Sequence, residues 1–167
     1  MSEGVELVLR ASLIGIGATM VMDFWALVLK YVFKTPSLNW GMVGRWLGHL
    51  SKGTLNHTNI SEASPVRAEV SIGWIAHYFV GIVVAALLIG IIGLEWARQP
   101  TFLPAIIFGL LTVVFPFFIM QPGMGAGIAA SKTPNPALAR KRSVITHTVF
   151  GIGLYCSAEL TALLIGV

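Results

Sequence analysis

Four long apolar runs separated by polar segments organise the chain. Ala11–Leu29, Val70–Leu94, Thr101–Met120 and Val144–Val167 each hold at most one formal charge. Each reaches the roughly 20 residues that a helix rising about 1.5 Å per residue needs to cross a hydrocarbon layer. Backbone groups in lipid must be satisfied within the segment, and the alternation of a membrane barrel is absent, so the runs predict helices. The pattern predicts an all-α integral membrane fold. It is a four-helix transmembrane bundle forming one domain over 1–167, with spans at about 7–33, 66–94, 101–120 and 144–166.

The boundaries follow from local chemistry. Ser64-Pro65 reads as an N-cap followed by proline at the first helical position, so the second span is expected to begin near Pro65. Pro116 lies inside the third span and predicts a kink. The first loop, 34–65, carries a short helix over Leu38–Leu50 with Asn39 as a cap. Trp40, Val43, Trp46, Leu47 and Leu50 share one face, and Arg45, His49 and Lys52 the other, as in a helix lying in the headgroup plane. Trp96, in the short second loop, is expected to anchor at the interface. His57 falls in a polar stretch with turn character, and neither it nor His49 has ligand spacing.

Composition sharpens this picture. The chain is 56% apolar and 11% charged, with a mean hydropathy of +0.82. That leaves too little polar surface for a soluble domain and too much hydrophobicity for disorder. One cysteine excludes an internal disulfide framework. The net charge of +4 sits mainly in the first loop (Lys34, Arg45, Lys52, Arg67) and in the third, 121–143 (Lys132, Arg140, Lys141, Arg142). Arg10 and Arg98 lie on the opposite side. The asymmetry places both loops in the cytoplasm and both termini in the periplasm. Anionic lipid headgroups, met by Arg45, Arg140, Lys141 and Arg142, account for the basic residues, and no nucleic-acid partner is expected. The glycine-rich stretch Gln121–Gly127, followed by Lys132 and the basic triplet, is also a candidate phosphate cradle, although it lacks a Walker ending. Glu3 and Glu6 precede the first run where a signal peptide would be basic, so that run is expected to be retained.

The candidate chemistry lies inside the spans. Ser12, Gly15, Thr19, Asp23 and Lys30 share a face of the first helix; Gly73, His77, Gly81 and Ala85 one of the second; His147, Gly151, Tyr155, Glu159 and Ala162 one of the fourth. Gly109, Thr112 and Pro116 mark a weaker stripe on the third. Small residues let membrane helices approach closely, so the stripes are expected to face other helices. Helical rise puts His147 roughly 5 Å, His77 about 10 Å, Asp23 about 15 Å and Glu159 about 22 Å from the cytoplasmic ends. Gln121 sits near the mouth. Ionisable groups at such depth are costly and tend to pair or to serve function. A pairing of Asp23 with His77 is the sharpest expectation. Asp23, His77, His147, Gln121, Glu159 and Tyr155 are the candidate substrate- or proton-binding residues.

The set Gly17-Ala18-Thr19, Met22-Asp23, Ser64-Pro65 leading to Trp74 and His77, and Gln121-Pro122-Gly123-Met124-Gly125 leading to Arg142, His147 and Gly151 spans nearly the whole chain. On these residues it resembles a family of small bacterial inner-membrane proteins catalogued as a domain of unknown function. The resemblance implies a bacterial inner-membrane location and brings no mechanism. Three functions stay open. The first is binding or translocation of a small solute or protons, in a homodimer because one bundle encloses little space. The second is a non-catalytic accessory or assembly subunit. The third is a redox protein holding haem or a metal through His77 and His147. Met20, Met22, Met120 and Met124 offer soft thioethers for Cu(I). No cofactor is expected under the first two readings, and neither has an enzymatic activity.

Overall fold

The computed structural model describes residues 2–35 and 37–166; Val167, the end of the fourth apolar run, lies outside them. Among the described residues the protein is all-α. Glu3–Tyr31, Glu69–Ile92, Phe102–Gly123 and Pro136–Ile165 are long and apolar enough to cross a membrane. We label the helices α1 (Glu3–Tyr31), α2 (Trp40–Leu50), α3 (Glu69–Ile92), α4 (Leu94–Arg98), α5 (Phe102–Leu111), α6 (Gln121–Gly123) and α7 (Pro136–Ile165). Glu3 and Glu6 in the first turn of α1 and Lys30 in its last complement the helix dipole.

Several boundaries differ from the sequence expectation, each for a local reason. Ser64-Pro65 does not open α3. Ala68 is left-handed (φ 60°), which no helix tolerates, and α3 starts one residue later at Glu69. α7 begins at Pro136, well before the expected span, because Asn135 Oδ1 accepts from Leu138 N–H at 3.1 Å and proline fits the first turn. The basic triplet Arg140–Arg142 therefore rides on a helix rather than in a loop. Asn135→Ala should cost about 1 kcal/mol of stability, seen as a lowered unfolding temperature and faster amide exchange over the first turns of α7. The second loop contains α4, and Gly93 makes the turn into it with φ 109°, a value suited to glycine. Trp96 is buried at 5% exposure with its indole donating to the Thr101 carbonyl, so it is a core residue and not an interfacial anchor.

The third span is composite. Pro116 has no N–H to offer the Thr112 carbonyl four residues earlier, and α5 stops at Leu111. The chain continues through a π-helical segment, Pro116–Met120, into α6. The expected kink is a local change of helical pitch.

The fold divides into two compact units. The first comprises Met1–Pro36, Tyr78–Thr112 and Ile145–Val167, and the second Ser37–His77 and Val113–Val144. In the first unit Ile14, Ala18, Ala85, Leu88, Ala97, Ala105, Leu154 and Ala158 form a closed core, while Phe24, Ile91, Leu103 and Leu163 point outward, the last at 80% exposure. An apolar exterior of this kind is suited to acyl chains and not to water. The small-residue stripes are the seams of that core. A Cβ at Gly15 would strike the backbone of Ile82, and one at Gly109 the backbone of Gly151. α1 thus lies close against α3, and α5 against α7, as the spacing predicts.

In the second unit α2 carries its expected cap, with Gly41 N–H donating to Asn39 Oδ1 at 2.9 Å. It packs against the opening turns of α3 at Gly44 and Gly73, where backbone meets backbone.

Candidate functional site

Polar side chains meet at the seams of the first unit. Gly81 leaves room for Thr19, whose hydroxyl is bonded to the Gly15 carbonyl. One turn further along α1, Asp23 faces α3, and the Tyr78 hydroxyl donates to its Oδ2 at 2.9 Å. Both side chains are half-buried, so the pair is sheltered without being sealed. Across the α5–α7 seam, Thr112 Oγ lies 2.8 Å from His147 Nδ1. The Thr112 hydroxyl has a single proton, which it gives to the Gly109 carbonyl. One hydroxyl thus joins the α5 backbone to the His147 ring. Further along α7, Tyr155 meets Phe102 edge-on at 5.4 Å and interacts with Glu159 one turn on.

A second polar cluster in this unit was not singled out from the sequence. Arg10 is 1% exposed and donates to Glu6 Oε1 (2.8 Å), the Ala97 carbonyl (2.9 Å) and the Gly166 carbonyl (2.7 Å). Arg98 closes on Glu6 from the other side at 3.0 and 2.7 Å, and that carboxylate holds the Arg98 guanidinium above its usual range.

The second unit holds the remaining candidates. His77 stacks on Trp40 with ring centroids 3.9 Å apart, and Trp74 approaches both rings. Gln121 is half-buried. Its Oε1 and Trp25 Nε1 are the buried side-chain polar atoms without a hydrogen-bond partner among the described residues. Arg45 is not on a solvated face. It forks onto Glu69 at 2.8 and 2.9 Å and donates to the Ser61 and Ala63 carbonyls, and its guanidinium is raised by the carboxylate. With those N–H groups taken, the headgroup contact expected of Arg45 is replaced by an internal brace. Arg140 Nε donates to the Ala129 carbonyl at 2.8 Å, while Lys141 and Arg142 are exposed on α7.

His49 and His57 form an unexpected pair. His49 Nε2 lies 2.9 Å from the Ser64 carbonyl, His57 Nδ1 lies 3.2 Å from the Gly123 carbonyl, and the inner nitrogens are 3.1 Å apart. The two rings meet edge to face with centroids 5.0 Å apart, so each imidazole is held between a backbone carbonyl and the other ring.

A family model described as protein of unknown function (DUF2938) matches residues 12–161. The chain belongs to the DUF2938 family. No curated protein and no solved structure matches it.

The DUF2938 region contains both seam pairs, the Trp40–His77 stack and the histidine pair; Glu6 and Arg10 precede it. Asp23, His147, Tyr155 and Glu159 lie in the first unit and His77 and Gln121 in the second. Sequence reasoning named Asp23 and His147 and put Thr112 on a stripe, but it did not foresee the Tyr78–Asp23 and Thr112–His147 contacts. Among the described residues of this DUF2938 chain, no three His, Cys, Asp or Glu side chains converge to hold a metal.

Proposed function

We propose that this membrane protein lies in a bacterial inner membrane, with both termini periplasmic, and binds or translocates protons or a small solute through polar groups inside its bundle. The observation that carries the reading is the Tyr78–Asp23 hydrogen bond at the α1–α3 seam. A carboxylate in a membrane span is costly unless it is paired or hydrated. A phenol is a donor to a carboxylate and can exchange its proton along a polar chain. The His147 imidazole, bonded to Thr112, adds a second group able to exchange a proton in the same unit. The working form we propose is a homodimer in the lipid bilayer, without a cofactor.

The test uses proteoliposomes loaded with a pH-sensitive dye under an imposed potential. Asp23→Asn should reduce proton flux about tenfold or more, the scale of losing a positioned proton carrier, while its unfolding temperature stays near that of the parent. Tyr78→Phe should reduce flux less, since the carboxylate remains. Equal flux in parent and Asp23→Asn, or no flux in the parent, would overturn the reading. The latter result would favour an accessory subunit.

A further inference from the structure

Beside the histidine pair lies a pocket of about 410 Å³, lined by Asn56, His57, Gly125, Gly127, Ser131 and Lys132 among others. It sits in the second unit and is independent of the seam pairs. Its wall is made by the glycine-rich stretch. Gly125 and Gly127 have φ of 93° and 77°, and at Gly125 a Cβ would strike the Thr58 carbonyl. The stretch therefore folds back on the His57 loop, which His57 N–H ties to the Gly123 carbonyl at 2.9 Å and Ile60 N–H to the Met124 carbonyl at 3.1 Å.

The charge of this pocket is one-sided. Among the described residues no carboxylate lines it. Two cations of the unit are engaged within the fold, Arg45 by Glu69 and Arg140 by the Ala129 carbonyl. Lys132 is exposed and makes no ion pair among the described residues. The opposite wall is the His57 ring, whose two nitrogens meet the Gly123 carbonyl and His49. Ser131 and Asn56 add neutral donors. One positive charge and several donors around an open cavity are complementary to a multidentate oxyanion and not to a cation or an apolar group. The volume leaves room for a phosphate together with the group that bears it.

We propose that this pocket binds a phosphate-class oxyanion, either free inorganic phosphate or the phosphate of an anionic lipid. Lys132 supplies the charge, Ser131 and Asn56 orient the oxygens, and the His57 ring forms the wall. The histidine pair also favours this over a metal, because two imidazoles with no third ligand make a poor cation site.

The experiment uses the full chain purified in a maltoside detergent, which has no phosphate of its own. Binding of inorganic phosphate is measured by equilibrium dialysis, and binding of phosphatidic acid by its retention on the micelle. We expect saturable binding of at least one of the two. Lys132→Gln should weaken it about tenfold or more, as loss of a charge-assisted contact does, whereas Lys52→Gln should not. Phosphate binding identifies the free anion, and phosphatidic acid binding alone identifies the lipid. Lys132 is exposed, so Lys132→Gln is expected to keep the fold. Binding of neither probe, or equal binding by parent and Lys132→Gln, overturns the proposal.

Discussion

Arg10→Ala is expected to cost the folded protein about 3–5 kcal/mol, the range for removing one partner of a buried ion pair. The side chain is 1% exposed, and its three bonded nitrogens reach three parts of the chain. Nε holds Glu6 one turn earlier on α1, Nη1 the carbonyl of Ala97 on α4, and Nη2 the carbonyl of Gly166 beyond α7. Truncation removes all three bonds at once. The buried Ala97 carbonyl and the Gly166 carbonyl lose their donor, and Glu6 is left to Arg98 alone. Arg10→Lys keeps the charge but not the planar fork, so it should recover only part of the loss. Arg98→Ala should be milder, because the Arg98 side chain is 29% exposed and water can replace it. Denaturant unfolding in detergent checks the order. An Arg10→Ala protein within about 1 kcal/mol of the parent, the ordinary range of surface changes, would show that the cluster does not hold these elements together.

Which features could be read from the sequence follows from how far apart the partners lie. The spans, the Asn39 cap and the Pro116 irregularity are local, and each is encoded within a few residues. The stripes are periodic, so Gly15, Gly81, Gly109 and Gly151 could be assigned to seams from spacing alone. Partnerships across the fold carry no such signal. Arg45 looked like one of three cations on a polar face; its carboxylate is 24 residues away, on a helix whose start was misplaced. His49 and His57 have no ligand spacing, and what orients His57 is a carbonyl 66 residues further on. Tyr78 was passed over because it follows His77, whose position on the glycine stripe drew the attention, and a phenol beside that stripe carries no periodic signal. Arg10 was counted as a flanking charge, a use of basic residues that ignores burial. Asn135-Pro136 is the exception. That signal was legible, but the charges of Arg140, Lys141 and Arg142 argued for a loop, and capping outweighs them.

Adding one methyl group at Gly44 or at Gly73 is expected to loosen α2 from α3. A Cβ on Gly44 would fall on the Glu69 carbonyl, and one on Gly73 would fall on the Trp40 carbonyl. Both obstacles are backbone, so no rotamer change relieves them, and the helices must separate. Overpacking of this kind costs about 1–3 kcal/mol. Here it also pulls on two contacts that span the same joint, the Arg45–Glu69 fork and the Trp40–His77 stack. The stack offers a direct reading. Imidazole lying on an indole quenches its fluorescence, so Gly44→Ala should brighten the emission of a variant whose other tryptophans are replaced by phenylalanine. Gly90→Ala is the control, since a Cβ there meets nothing within 4 Å and alanine favours the helix. The expected order of unfolding temperature is Gly90→Ala at or above the parent and both seam variants well below it. If Gly44→Ala matched Gly90→Ala in stability and emission, the close backbone contact between α2 and α3 would have no energetic weight.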